Sequence, residues 1–170
     1  MNKVPIKPGF LIIDMQKAFL DDPNASFVPS LPNACEYINY VADGFRFAQL
    51  PVLLIHDGES VQPDQAHYGF IDAIKQDPSD IVIHKQYGNA FRDTTLSETL
   101  QKLEINFLLF AGFKAEACVL ATIHGAIDRD IPYAILKNGI TSTTSDGATF
   151  IEKTFPLISY SVVDQLLLHR

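Results

Sequence analysis

Cysteine is scarce in this chain. Cys35 and Cys118 are two among 170 residues, too few for a disulfide scaffold or a four-cysteine zinc site. Positive charge is also in short supply. Thirteen Lys and Arg face twenty Asp and Glu, for a formal net charge of -7. That leaves no basic face for a phosphate backbone, so nucleic acid is excluded as the main partner. Long apolar runs are missing. Those from Phe10 to Ile13 and from Phe107 to Gly112 fall far short of the ~20 residues that cross a bilayer, so no membrane partner is expected. Lys3 and Lys7 lie near the N-terminus, yet Pro5 and Pro8 break any signal-peptide core. No repeat, linker or low-complexity tract occurs. No G-x-G-x-x-G follows an apolar run, which removes a dinucleotide site. Together these absences predict a soluble, cytoplasmic protein.

What is present suits a packed interior. Hydrophobic residues make up 47% and aromatic residues 11%, against 19% charged. A chain of this length buries roughly 70% of its unfolded surface and fits a single domain over residues 1–170. Short β-rich runs alternate with longer amphipathic ones. Strands are predicted at Gly9 to Ile13, Val52 to Ile55, Ile81 to His84, Asn106 to Ala111, Tyr133 to Leu136 and Ile158 to Val162. Helices are predicted from Asn33 to Gln49, from Thr94 or Thr95 to Lys102, from Ala115 to Arg129 and from Asp146 to Lys153. Strands apolar on both faces between helices mean a mostly parallel sheet inside two helix layers, an α/β fold. The polar stretch from Asp57 to Asp80, with Pro63 and Pro78, reads as a long excursion over the sheet edge.

In such sheets, sites form beyond the carboxyl ends of the strands, where the strand order reverses. Asp14 follows the first strand, His56 and Asp57 the second, Lys85 the third, Cys118 the turn after the fourth, and Asn138 the fifth. An acid, a base and a thiol in these places are the raw material of nucleophilic catalysis. Cys118 lies just inside a helix start, where backbone N–H groups favour a thiolate and can hold an oxyanion. Lys85 beside it would lower the thiol pKa further, and Asp14 could carry its proton. Alone, each has an ordinary structural reading: a packing thiol, a turn-capping acid, a solvated lysine.

Asp14-Met-Gln-Lys-Ala-Phe19, Lys85-Gln-Tyr-Gly-Asn-Ala-Phe91, and Ala111-Gly112 followed by Cys118-Val-Leu-Ala-Thr122 form an ordered set. The set resembles the isochorismatase-like cysteine hydrolases. The resemblance runs from about Gly9 to Ser142. It implies a three-layer α/β/α sandwich, Rossmann-like, with a six-stranded, mostly parallel sheet in the order 3-2-1-4-5-6. It implies an Asp14–Lys85–Cys118 triad and an oxyanion hole of the Lys114 and Cys118 backbone N–H groups. It also implies a cis peptide between Phe113 and Lys114, a homo-oligomer, and carbon–nitrogen hydrolysis of a small amide, ureide or carbamoyl compound. Gln16, Phe19, Tyr87 and Phe91 flank the triad in sequence and are candidate pocket residues.

Three departures bear on the substrate. Ala115 stands where many relatives have threonine, and Asn138-Gly139 where many have Asp-Ala. The Asp-x-His metal pattern of nicotinamidases is replaced by Asp57-Gly-Glu59, with His67 further on. No metal and no cofactor are expected, and the partner is a small-molecule substrate. His84, by strand alternation, points away from the site; His124, His169 and Cys35 carry no motif. The alternatives are a receiver-like domain and a catalytically silent binding protein on the same fold. A receiver needs an acid pair after its first strand, and Lys85 follows the third strand rather than the fifth.

Overall fold

The computed structural model describes residues 5–20, 30–58 and 68–168. Its centre is a sheet in the order β3-β2-β1-β4-β5-β6, with β1 at Pro8–Ile13, β2 at Val52–Asp57, β3 at Ile81–Lys85, β4 at Phe107–Gly112, β5 at Tyr133–Ile140 and β6 at Leu157–Ile158. All five pairings are parallel. Helices α1 (Leu31–Phe47), α2 (Leu96–Lys102), α3 (Leu120–Ile127), α4 (Gly147–Thr154) and α5 (Tyr160–Leu168) form the outer layers. Among the described residues, no helix is long and apolar enough to cross a membrane.

Alternation along the strands divides the core into two halves. Phe10, Ile12, Leu54, Leu109 and Leu136 pack against Ile38, Val41 and Phe45 of α1 and Val163 of α5. Leu11, Ile13, Ile55, Phe110 and Ile135 pack against Leu96 and Leu100 of α2, Ile123 and Ala126 of α3, and Ile151 of α4. β1 and β2 are buried along their whole length. Such strands read as continuous apolar runs because helices cover both faces. Cys35 belongs to the α1 half and is 3% exposed, a packing residue. Phe70, Ile71 and Ile74 bring the described end of the excursion between β2 and β3 onto that same half. Glu59 and His67 lie outside the described residues.

Two predicted elements differ. β6 stops at Ile158, and the run read as its continuation belongs to α5. Val162 and Val163 favour a strand by propensity, but Val163 buries itself against the α1 layer, and Tyr160 meets Tyr37 and Tyr40 edge-on at 5.5 and 5.3 Å. β5 runs on to Ile140, with Asn138 inside it at φ 63 rather than beyond its end. Phe110 faces Ile135 while Gly112 faces Ile140, so the strand bulges. Asn138 N–H is taken by Glu152 of α4 at 2.6 Å.

Gly112 makes the turn out of β4 feasible. Its φ is +118, and a Cβ there would lie 2.2 Å from Ile13 O and 2.6 Å from Ile13 N. Gly112→Ala is therefore expected to cost about 3 kcal/mol or more of stability. A chemical denaturation midpoint within error of the parent would refute this.

Candidate active site

β1 and β4 are the neighbours where the strand order reverses, and the site forms at their carboxyl ends. Asp57 of β2 lies in register with Lys85 of β3. Alternation sends Ile55, Asp57, Ile83 and Lys85 to one face, toward α3, and leaves His84 exposed on the other. Asp14 leaves β1 in a left-handed conformation, φ 49, with its N–H held by Ile55 O at 3.0 Å.

The Lys85 ammonium joins the three strand ends and the thiol. It lies 2.8 Å from Asp14 Oδ2, 3.4 Å from Asp57 Oδ2 and 3.5 Å from Cys118 Sγ. The side chains of Lys85 and Asp14 are both fully buried. Opposite charges at this depth are stable only when paired. Burial works to lower the Lys85 pKa, but Asp14 above all outweighs it and holds it above the ordinary lysine value. Burial pushes Asp14 up to about 6, against the pull of Lys85.

Cys118 lies in a single π-helical turn, Ala115–Val119, that runs into α3. Thr122 Oγ1 ties this turn down, donating to Cys118 O at 2.7 Å and accepting from Ala90 N at 3.1 Å. Lys114 precedes the turn in extended geometry, its O accepting from Ala117 N and Val119 N at 3.0 and 3.1 Å. The Phe113–Lys114 peptide is cis, as the resemblance implied. The expected lowering of the thiol pKa by the helix start and Lys85 is corrected. Burial first and the Asp14 carboxylate second push the Cys118 thiol up to about 12, against Lys85. The thiol is thereby held protonated, with the Asp14 carboxyl group beside it.

A pocket of about 240 Å³ opens at the thiol, walled by Phe19, Asp57, Phe113, Lys114, Ala117 and Thr143. The Phe19 and Phe113 rings pair at 5.3 Å, so Phe19 stands where the sequence placed it. The other three candidates do not reach this wall. Gln16 is buried, and its carboxamide grips the Asp57 backbone, donating to its O at 3.0 Å and accepting from its N at 2.7 Å. Tyr87 lies under the Arg92 guanidinium, 3.7 Å from the ring centroid. Phe91 is core, packed with the α3 half beneath Arg129. Proximity to Lys85 in sequence does not carry these rings to the pocket, because the chain turns away through residues 86–95 after β3 ends.

Sequence reasoning missed Thr143, Phe113 and the wall role of Asp57. Thr143 is placed by Glu116, whose carboxylate accepts from Ser142 Oγ at 2.7 Å and Thr143 Oγ1 at 2.9 Å. The register of Asp57 with Lys85 was the one available signal, and it depends on which strands pair. Among the described residues, Asp14, Asp57 and Cys118 are the set whose ligand atoms could surround a metal ion. The Lys85 ammonium lies within 3.5 Å of all three, so a cation would meet a fixed positive charge there.

Asp14, Lys85 and Cys118 thus meet at the switch point of a parallel α/β/α sandwich. Residues 8–155 match the isochorismatase domain family, and the chain belongs to that family. The chain is similar to a cysteine hydrolase from Pseudomonas syringae pv. phaseolicola at 16% identity and TM-score 0.82, with 99% of each chain covered. It is also similar to N-carbamoylsarcosine amidase from Thermoplasma acidophilum at 18% identity and TM-score 0.75, over 91% of this chain and 95% of that one. A 63-residue stretch is 32% identical to ureidoacrylate amidohydrolase RutB from Methylobacterium radiotolerans, covering 37% of this chain and 24% of that protein's length.

Proposed function

We propose that the chain hydrolyses a carbon–nitrogen bond in a small amide, ureide or carbamoyl compound through an acyl-enzyme on Cys118. The observation that carries the reading is the Lys85 ammonium in contact with both Asp14 and Cys118 beside a small pocket. Two similar proteins are named as amide-type hydrolases, in keeping with this chemistry.

The thiol gives its proton to Asp14 as sulfur attacks the substrate carbonyl carbon. The Asp14 carboxylate raises the proton affinity of the thiol, so transfer and attack proceed together. Lys85 remains charged and faces the growing thiolate. The Lys114 and Cys118 N–H groups receive the oxyanion. Asp14 then protonates the nitrogen, the carbon–nitrogen bond breaks, and ammonia or an amine leaves. Water attacks the thioester with Asp14 as base, and Cys118 regains its proton as the acid is released.

The test is ammonia release over a panel of amides, ureides and carbamoyl acids, with chelator-treated protein. Turnover survives the chelator. Because Asp14 must be a carboxylate to accept the proton, kcat/KM rises with pH through about 6 and shows no alkaline limb near neutrality. A single rising limb near pH 8–9, the range of an ordinary thiol, would mean instead that a preformed thiolate attacks.

A further inference from the structure

We propose that Tyr37, Tyr40 and Tyr160 form an aromatic cage that binds the quaternary ammonium group of a small molecule, at a second site between α1 and α5. Asn33, Glu36, Tyr37 and Tyr40 recur at helical spacing and share one side of α1. That side flanks Ile38, Val41 and Phe45, which enter the core. Tyr160, the first residue of α5, reaches across to both tyrosines. Its ring centroid lies 5.5 Å from that of Tyr37 with the planes at 61°, and 5.3 Å from that of Tyr40 at 82°. Tyr40 and Tyr160 remain 50% and 41% exposed, so packing of α5 onto α1 leaves ring surface open. With Asn33 and Glu36 the three rings line a cleft of about 290 Å³. It shares no residue with the pocket at Cys118.

The lining selects the ligand. An aromatic ring is negative on its face and positive at its edge. In the corner between two nearly perpendicular rings, a cation about 4 Å from each plane lies within about 6 Å of both centroids, the range of cation–π attraction. The described lining holds no Lys, Arg or His, so an anion finds no partner there. Glu36 lies exposed on the rim. Asp164 stands beside Tyr40, and its charge raises the pKa of that phenol. These acids, in a chain of net charge -7, favour a cation. A primary ammonium is strongly hydrated and carries three N–H donors that need acceptors. A quaternary ammonium has no N–H and lays apolar methyl groups against the rings, which is what three tyrosines offer.

Choline and neohexyl alcohol, its uncharged isostere with carbon in place of nitrogen, test this without turnover. Each is titrated into the native protein at constant ionic strength, and its methyl resonance is followed by NMR. Choline shows a saturable upfield shift with a dissociation constant on the order of millimolar, and the alcohol binds about 10-fold more weakly or worse. Tyr160→Phe keeps choline binding, because the ring face is retained. Tyr160→Leu keeps apolar bulk without the ring and weakens choline by about 10-fold while leaving the alcohol unchanged. Tyr40→Leu, on the exposed side of α1, makes the same comparison with α5 untouched. Thermal melts show that each variant is folded. Equal affinity for choline and the alcohol reduces the cleft to an apolar hollow and overturns the proposal. So does the lack of a saturable choline shift, or choline binding that is unchanged in both folded Leu variants. A trimethyllysine peptide that binds about 10-fold tighter than choline would assign the cage to a protein tail and overturn the small-molecule ligand.

Discussion

Cys118→Ala removes hydrolysis, by about 10⁴-fold or more, while the protein stays folded. The magnitude follows from the role: without sulfur no acyl-enzyme forms, and the remaining pocket only binds. The thiol is half-buried on a pocket wall, so losing it costs on the order of 1 kcal/mol in stability. A thermal melt close to the parent separates the two effects. Iodoacetamide distinguishes the two cysteines in the native protein. By pKa alone the two thiols are not told apart, since burial pushes Cys35 to about 11 and Cys118 to about 12. Access and the neighbouring carboxyl group separate them. Cys35 is 3% exposed within the α1 half of the core, whereas Cys118 lines the pocket with Asp14 beside it. Equal labelling of both, or full activity in the Ala variant, ends the nucleophile assignment.

Asp14→Asn lowers kcat/KM by about 10²- to 10⁴-fold, the range lost with a general base. The amide keeps the shape of the carboxyl group but cannot accept the proton. Its diagnostic is the pH profile. The limb at about 6 belongs to Asp14 and disappears with it, so residual activity no longer falls as the pH is lowered through that value. Asparagine is the informative replacement because Asp57, 3.4 Å from the Lys85 ammonium, still keeps that buried charge paired. Stripping a buried ion of its partner would cost about 3–5 kcal/mol and confuse loss of fold with loss of chemistry. A persistent limb at the same pH would assign it to another group.

The strand and helix pattern was legible because burial on both faces leaves a plain mark. β1, β2 and β4 are short apolar runs set between amphipathic stretches, and each lies within two residues of its expected bounds. The ends of these strands were legible for the same reason, since a polar residue after an apolar run has nowhere to be but at the rim. That is how Asp14, Lys85 and Cys118 could be picked out. α5 was not legible: Val162 and Val163 carry strand propensity, and packing of the helix onto α1 overrides it.

Side-chain direction and charge state belong to the tertiary structure. Gln16, Tyr87 and Phe91 are near the triad in sequence, yet one braces a backbone, one stacks under Arg92 and one is core. Nothing in the order of residues says that Asp57 stands beside Lys85, because that contact exists only once β2 pairs with β3. The protonation state of the thiol was decided there as well. From sequence, a helix start and a lysine argue for a thiolate. In the fold, burial and the Asp14 charge outweigh them and leave a thiol. Residue order fixes which groups can reach the rim, since hydrophobic patterning is a local property of the chain. Their pairing and their protons depend on distances and on exclusion of water, and both arise only when strands distant in sequence come together.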